Sequence, residues 1–427
     1  MFLRKTYSLT PLFIIISIAA LGQAASSPFS TFGIGEPYGN SLIQHQGMGG
    51  TGVSQPQFWS LNNQNPALLV FNYYTVFQAG ALLETRTISN DTASQENTNG
   101  NLAYLVTAFP IKPGKWTTSA GLMPFTRVNY KLSYDEYVRD NSDVVIDTMS
   151  VLEQGSGGLT QFYWSNGVRI HDDWSVGFKA AYLFGSINTD YSNYLAVENQ
   201  PVPFIVAIKE QTYVKDFMFS AGLSFSKDSI GKKDDFRVSA GAVYSFATDL
   251  RTSKTSVIQR RLSSGDPITA DTLVLNRGSI SIPSSLTVGV SISKGVRWSA
   301  AAEFSVQDWS KFKSISEEDE GLEKSWKASL GGEITPDPLS FNNYLKRMTY
   351  RVGFSYEKTP FFVDKSQLND LGINFGFSMP AGRSSLDWAF RIGKRGDKSE
   401  NILEETYYKI YFGITFNDQW FIKRKFD

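Results

Sequence analysis

Side chains able to make or break covalent bonds are scarce in this chain. Its 427 residues include only two histidines and no cysteine, which leaves few places for an imidazole base or a thiol nucleophile. His45 lies between two glutamines and His171 lies in a predicted turn, and neither has a convincing nucleophile near it in the sequence. The sequence therefore predicts a protein that is not an enzyme.

Two acidic runs are the candidates for binding a metal ion. They are Asp140-Asn141-Ser142-Asp143 and Glu317-Glu318-Asp319-Glu320. Oxygen atoms bind calcium, but neither run has the spaced ligands and the glycine of a dedicated calcium loop. We interpret both as solvated loops, so no metal and no cofactor is predicted. The 41 basic and 41 acidic residues balance, and this balance gives no reason to expect a nucleic-acid partner.

A different set of charged residues alternates with apolar residues along predicted strands. A lipid-facing arginine near the bilayer midplane costs roughly 2–4 kcal/mol, so charges confined to one face indicate an interior that water reaches. An inward arginine is able to hold the carboxylate of a fatty acid. Pairing with inward acids is the alternative, and we favour such a structural network. The candidate lumen charges are Arg237, Arg351, Arg391, Glu303 and Asp387.

Fourteen short segments with period-two alternation must position these charges. The last of them, 406–416, is the clearest, because Tyr408, Ile410 and Phe412 project one way while Tyr407 and Lys409 project the other. Tight turns alternate with long polar loops at 132–158, 190–210, 252–270 and 313–323, which is typical of outer-membrane barrels. The predicted strands are 74–88, 101–111, 116–131, 159–170, 174–189, 211–226, 235–251, 271–293, 297–312, 324–335, 348–361, 370–379, 384–395 and 406–416.

The predicted fold class is all-β, a fourteen-stranded antiparallel transmembrane β-barrel with an N-terminal plug in the lumen. A large soluble β-sandwich is the alternative, but sandwiches rarely have so many long strands with loops so unequal in length. Residues 1–25 are predicted to be a cleaved signal peptide, because Arg4 and Lys5 precede an apolar run that ends at small residues. The remaining predicted parts are the plug (26–73), the barrel (74–416) and a periplasmic tail (417–427), in a protein of the Gram-negative outer membrane.

Two glycine- and proline-containing motifs resemble a known family. Gly49-Gly50-Thr51-Gly52 and Asn65-Pro66-Ala67-Leu68-Leu69 are similar to the plug and first-strand entry of the FadL/TodX outer-membrane transporters of long-chain fatty acids and other hydrophobic compounds. Segments 155–160, 174–177, 282–286 and 309–312 resemble later strands of the same family more weakly. The resemblance implies a plugged barrel with a sideways exit beside a kinked third strand.

Pro124 lies inside the predicted third strand, where it has no N–H to donate to the ladder. The resemblance implies that Asn65-Pro66-Ala67 fills this break from within the lumen, while a packing bulge without an opening is the alternative. Plug aromatics, including Phe29 and Phe32, are expected to line an apolar lumen. The predicted ligand-binding or gate residues are Asn65, Pro66, Ala67, Pro124, Phe125, Phe58 and Trp59.

The predicted function is passive transport of small hydrophobic molecules, either fatty-acid-like or aromatic. The expected partners are outer-membrane lipid and a small hydrophobic ligand. The alternative is an accessory or scaffold barrel of an outer-membrane secretion or assembly complex. In that case the loops 132–158 and 252–270 dock other outer-membrane or periplasmic proteins.

Overall fold

The structure is a computed structural model that describes residues 27–139, 145–194, 205–230, 236–262, 264–315 and 320–419. The predicted signal peptide, the first acidic run, most of the second acidic run and most of the predicted tail lie outside the described residues.

The described strands form one antiparallel wall that closes on itself. The last strand pairs with the first from Glu404↔Ser89 to Asp418↔Thr75, and this pairing closes the barrel. Of eighteen strands in the sheet, one has only two residues and six are the halves of three interrupted strands, so the wall has fourteen strands, as predicted. The wall strands are β1 (Thr75–Ser89), β2 (Ser94–Lys112), β3a (Trp116–Pro124) with β3b (Thr126–Arg139), β4 (Val145–Arg169), β5 (Trp174–Tyr194), β6 (Ile205–Ile230), β7a (Phe236–Ser245) with β7b (Thr248–Arg261), β8a (Pro267–Ile282) with β8b (Ser285–Lys294), β9 (Trp298–Asp308), β10 (Lys324–Ile334), β11 (Thr349–Val363), β12 (Ser366–Ala381), β13 (Ser384–Arg395) and β14 (Glu404–Asp418).

Alternate side chains of each strand face opposite sides of the wall. In β14, Tyr407 and Tyr411 are buried, whereas Tyr408, Ile410 and Phe416 are exposed on the outer surface. The period-two pattern of the sequence therefore separates a lipid-facing apolar surface from a lumen-facing polar surface.

Strands extend well into three regions predicted to be polar loops. Residues within 132–158, 190–210 and 252–270 continue the ladders, as in the pairing of β4 with β5 from Ser150↔Tyr194 onward. The prediction of long loops there was wrong. Beyond the bilayer neither strand face contacts lipid, so both faces carry polar residues and the alternation disappears while the backbone pairing continues.

The N-terminal segment (Ser27–Tyr74) contains short elements only. These are a 3₁₀ turn (Pro28–Thr31), the two-residue strand Glu36–Pro37, the helix α1 (Ile43–Gln46) and a 3₁₀ helix (Pro66–Phe71). The remaining helices are the 3₁₀ turn Trp309–Lys311, α2 (Tyr344–Arg347) and α3 (Lys398–Asn401). Among the described residues, every helix is too short or too polar to cross a membrane.

The buried apolar core lies between the N-terminal segment and the inner surface of the wall. One cluster joins Leu42, Ile43 and Leu61 of the segment to wall residues that include Tyr104 and Tyr163. A second cluster surrounds Phe29 and Ile34 nearer the long-loop end. Burial of these side chains holds the segment inside the wall.

Candidate functional site

The Asn65-Pro66-Ala67 motif begins a 3₁₀ helix that packs directly against the wall. Asn65 Oδ1 accepts a hydrogen bond from the Ala67 N–H at 3.0 Å, and Asn65 Nδ2 donates to the Leu223 carbonyl of β6 at 3.1 Å. Pro66 occupies the first turn of the helix, where its missing N–H leaves no hydrogen bond unmade. Asn65 therefore caps the helix and joins it to the wall.

Wall glycines allow this close approach. A Cβ on Gly167, Gly177 or Gly222 would lie closer than 3.0 Å to atoms of Asn65 or Pro66. The three glycines belong to β4, β5 and β6, so the motif contacts three neighbouring strands. Only a residue without a side chain leaves room for the motif at these positions.

A second set of wall glycines contacts the segment elsewhere around the barrel. A Cβ on Gly331 of β10 would lie closer than 3.0 Å to the Met48 carbonyl, and one on Gly353 of β11 would lie closer than 3.0 Å to the backbone of Met48 and Gly49. Strands β7 to β9 separate this set from the first, so the segment contacts the wall at well-separated positions. We call these five glycines the glycine seats: Gly167, Gly177, Gly222, Gly331 and Gly353.

Two of the predicted lumen charges bind the N-terminal segment. Glu303 Oε2 accepts hydrogen bonds from the Gly52 and Val53 N–H groups, each at 2.9 Å. Asp387 Oδ2 accepts from Gln44 Nε2 at 2.9 Å. These carboxylates therefore hold the segment, and they are not the partners of the three predicted arginines.

Each predicted arginine pairs with an acid other than the predicted Glu303 and Asp387. Arg391 and Arg351 are mostly buried and form ion pairs of 2.8 Å and 3.0 Å. Arg237 also stacks on the rings of Phe58 and Phe71. The guanidinium groups are therefore engaged within the protein. The three pairs are Arg237–Asp228, Arg351–Glu333 and Arg391–Asp370.

A network of buried charges lies in the lumen where β12 to β14 and β1 meet the segment. Arg86 is at its centre, with ion pairs to Glu84 at 2.6 Å, Glu405 at 2.9 Å and Glu36 at 3.2 Å. Arg395 pairs with Glu36 at 2.6 Å. The network contains four acids and four bases, so their formal charges balance. We call these residues the charge cluster: Glu36, Glu84, Arg86, Asp370, Arg391, Arg395, Glu405 and Lys409.

The charge cluster lines a cavity of about 250 Å³ next to the segment. Glu36 is the charged residue of the N-terminal segment that lines this cavity. Burial opposes ionisation of this carboxyl, but the guanidinium groups of Arg395 and Arg86 hold the pKa of Glu36 well below its usual range. A second cavity, of about 280 Å³, is lined by both polar and apolar residues, among them Thr189, Lys254 and Phe312. Charged side chains of the charge cluster line much of the first cavity, which suits water better than a hydrocarbon.

The strand break at Pro124 is present, but a different part of the segment lies beside it. Glu36 and Pro37 pair with Arg127 and Thr126 of β3b, and the Tyr38 N–H donates to the Phe125 carbonyl at 3.0 Å. The two-residue strand therefore adds to the edge of β3b.

The expectation that Asn65-Pro66-Ala67 fills this break was wrong. That motif lies against β4, β5 and β6, because the glycine seats there accept its backbone. Within the described residues, β2 pairs with β3a only from Leu105 to Lys112, and no ladder joins it to β3b. The wall is thus interrupted between β2 and β3b, above Pro124. On the other side of the break, the Phe125 N–H donates a hydrogen bond to the Leu159 carbonyl of β4 at 2.7 Å.

The predicted aromatic lining divides between two ends of the barrel. Phe29 is buried and Phe32 stacks on Phe361 at 5.5 Å near the long-loop end. Phe58 and Trp59 lie instead at the short-turn end, where Trp59 is 55% exposed and stacks on Tyr74. A lumen lined jointly by all four rings is therefore not formed, because the segment crosses the barrel between them.

Sequence reasoning missed most of the charge cluster and all the glycine seats. Glu84 and Arg86 are two residues apart on β1, and Glu405 and Lys409 share one face of β14, so alternation alone marks them as inward. Their pairing depends on closure of β14 onto β1, which joins residues more than 300 positions apart. A census of inward charges on the first and last strands would have found the network.

Buried His45 provides a test of how the segment is held. Burial, with a further contribution from the positive charge of Arg351, lowers the pKa of the imidazole from 6.5 to about 3. His45 is protonated near pH 6.5 in the unfolded chain but stays neutral in the folded protein until about pH 3. The free energy of unfolding therefore falls as the pH decreases from about 6.5 towards 3. The loss approaches about 1.4 kcal/mol per pH unit within that window.

We expect His45→Phe to remove this part of the acid sensitivity. The measurement is the thermal unfolding temperature at several pH values from about 7 to about 4. His171→Phe, in an exposed turn, is the matched control, and its unfolding temperature should depend on pH as that of the unmodified protein does. Equal acid sensitivity in both variants would contradict the assignment.

A protein-family model matches nearly the whole chain. This family model, described as BamG, matches residues 3–427. No curated protein matches the sequence.

Solved structures with the same fold are hydrophobic-compound channels and transporters. The CymD monoaromatic hydrocarbon channel has 13% identity and a TM-score of 0.57, over 91% of this chain and 99% of that one. The Pseudomonas putida toluene transporter TodX has 17% identity and a TM-score of 0.54, over 90% and 98%. A Pseudomonas aeruginosa FadL homologue has 12% identity and a TM-score of 0.56, over 89% and 98%. The chain therefore has the FadL-type barrel fold of outer-membrane proteins, as the resemblance implied.

Proposed function

The chain belongs to the BamG family, and from its segment-filled lumen we propose that it serves as an accessory barrel in an outer-membrane secretion or assembly complex. The observation that carries the proposal is the way the N-terminal segment binds the wall. Its backbone packs on the glycine seats, and Glu303 and Asp387 hold it by hydrogen bonds. In this proposal the segment acts as a permanent plug.

The polarity of the charge-cluster cavity supports the same proposal. Sites for hydrophobic molecules are mostly apolar, with only a few polar groups that orient the ligand. The charge-cluster cavity differs from such sites, since charged groups such as Arg86, Asp370 and Lys409 line it. A hydrocarbon entering this cavity would displace water from these ions without replacing its hydrogen bonds. The outer surfaces are then the parts of the barrel available to a partner.

Extended hairpins on the long-loop side supply such a surface. The paired strands β4, β5 and β6 continue beyond the lipid-facing belt, and β7b pairs with β6 from Thr252↔Val214 to Arg261↔Ile205. A hydrogen-bonded extension of this kind is stiffer than a free loop, so less conformational entropy is lost on binding. Other outer-membrane proteins that reach this side of the barrel are the proposed partners.

Purification under mild conditions tests the proposal. We expect the tagged protein, extracted from native outer membranes in a gentle non-ionic detergent, to elute with one or more other proteins at constant stoichiometry. A tagged barrel of unrelated function and similar abundance is the control for non-specific capture. Recovery of the protein alone, at the mass of a single chain in detergent, would rule out a stable complex.

Passive transport of small hydrophobic molecules is a second candidate, favoured by two observations. The fold is similar to those of a monoaromatic hydrocarbon channel and a toluene transporter, and the wall is interrupted between β2 and β3b above Pro124. In this case a ligand enters among Phe29, Phe32 and their neighbours and leaves sideways past Phe125, where the two-residue strand Glu36–Pro37 must first move.

Uptake measurements separate this candidate from the first. In liposomes with a lipopolysaccharide outer leaflet, whose sugar layer slows apolar solutes, we expect the protein to speed uptake of toluene or hexadecanoate. Pro124→Thr restores a backbone N–H at the break and should slow uptake, whereas Pro380→Thr, near a turn, should not. Uptake at the protein-free rate for both probes would remove the transport candidate while leaving the accessory role standing.

A further inference from the structure

The connection between β10 and β11, residues 335–348, is the longest described turn on the short-turn side of the barrel. It exposes large apolar side chains to an unusual degree. Phe341 is 99% exposed, Leu339 is 84% exposed and Leu345 is 62% exposed. Side chains of the lipid-facing wall, such as Val352 and Phe354, are less exposed than these. Such exposure in a water-filled compartment is unfavourable unless another apolar phase covers it.

Hydrogen bonds fix this turn in one arrangement. The Asp337 N–H donates to the Lys346 carbonyl at 2.8 Å and closes the turn. The Tyr344 hydroxyl donates to the Pro380 carbonyl at 2.9 Å, which attaches α2 to the neighbouring turn. The apolar side chains are thus held out by an ordered backbone.

The position of Tyr350 shows which way the turn faces. In β11 the residues Tyr350, Val352 and Phe354 point outward, while Gly353 points inward at the segment. The hydroxyl of lipid-facing Tyr350 donates to the Leu345 carbonyl at 3.0 Å. The helix α2 therefore lies on the lipid side of the rim, continuous with the apolar belt.

The basic residues of the turn are suited to an anionic lipid surface. Lys346 and Arg347 end α2, and Arg347 lies over the Tyr344 ring at 5.0 Å. The one acid of the turn, Asp337, accepts a hydrogen bond from the Leu339 N–H at 3.2 Å. Aromatic, aliphatic and basic side chains together are the composition of segments that lie in the membrane interface.

We propose that residues 335–348 form an interfacial anchor that inserts Leu339, Phe341 and Leu345 into the periplasm-facing leaflet of the outer membrane. Lys346 and Arg347 then contact anionic phospholipid headgroups. A one-sided anchor on the rim fixes how deep this side of the barrel sits in the bilayer. The inference is independent of whether the lumen passes a ligand.

The absence of cysteine from the sequence allows a direct test by single labels. Phe341→Cys carries an environment-sensitive fluorophore, in nanodiscs of phosphatidylethanolamine and phosphatidylglycerol, with brominated lipid or aqueous iodide as quencher. Val352→Cys on the lipid-facing wall and His171→Cys in an exposed turn are the lipid and water controls.

We expect Phe341→Cys to be quenched by brominated lipid like Val352→Cys, and by iodide at least about fivefold less than His171→Cys. Strong iodide quenching without lipid quenching would overturn the anchor. Protection from both quenchers only in preparations that retain a second protein would also overturn it, because the turn would then be a protein-docking surface. Phe341 makes little contact with the rest of the chain, so the substitution leaves folding intact.

Discussion

Replacing Arg86 by methionine is expected to destabilise the barrel by about 3–5 kcal/mol, because it leaves buried carboxylates without their shared counter-ion. Arg86 is 1% exposed and pairs with Glu84, Glu405 and Glu36. The measurement is the temperature at which unboiled protein changes from the compact to the unfolded mobility on a detergent gel. Adding Glu405→Gln to Arg86→Met should recover part of the loss, since one uncompensated charge is then removed.

Arg383→Met is the matched control for the Arg86 variant. Arg383 pairs with Asp418 at 3.5 Å at the rim, where both side chains are 63% exposed, and exposed pairs contribute little to stability. We expect its unfolding temperature to equal that of the unmodified protein. If Arg86→Met also unfolds at that temperature, the charge cluster does not stabilise the fold.

The second large effect is expected on conductance. Gly331→Val combined with Gly353→Val places side chains where the backbone of Met48 and Gly49 now lies. Neither that backbone nor the hydrogen-bonded wall strands can shift far enough to relieve the clash. Overpacking of this kind costs about 1–3 kcal/mol per site, so the middle of the segment should leave the wall. In planar lipid bilayers we expect stable ion conductance from the double variant and near-zero conductance from the unmodified protein.

Gly332, a neighbouring glycine, supplies the control for this prediction. Gly332 follows Gly331 on the same strand, but a Cβ there would have only the Ser299 carbonyl nearby, at 3.5 Å. Gly332→Val should therefore leave the barrel closed. Equal conductance from Gly332→Val and from the double variant would show that the segment does not close the lumen.

The fourteen wall strands were predictable because lipid imposes a strict alternation on every strand that crosses the membrane. Tyr408 and Lys409 differ in polarity because one faces hydrocarbon and the other faces the lumen. The strand extensions were not predictable, because outside the bilayer that constraint is lost. For the same reason the predicted loop 190–210 contains paired strand up to Tyr194 and again from Ile205.

The site was predictable only in part. The sequence shows that Arg391 and Asp387 face inward, but not that Asp370 and Gln44 are their partners, since strand alternation contains no information about neighbours across the lumen. The predicted position of Asn65-Pro66-Ala67 was wrong because it was taken from the resemblance to the FadL/TodX family. Its actual position depends on Gly167, Gly177 and Gly222, whose significance appears only once the strands are side by side.

The charge cluster also bears on how the cylinder is assembled. Lys409 lies opposite Glu84 where the first and last strands meet, and Tyr407 lies opposite Arg86. Sliding one strand by two residues in one direction would set Lys409 opposite Arg86, and two like charges would then be forced together out of water. A seam misaligned in this way is therefore electrostatically unfavourable, and the charges favour the observed register when the ring closes.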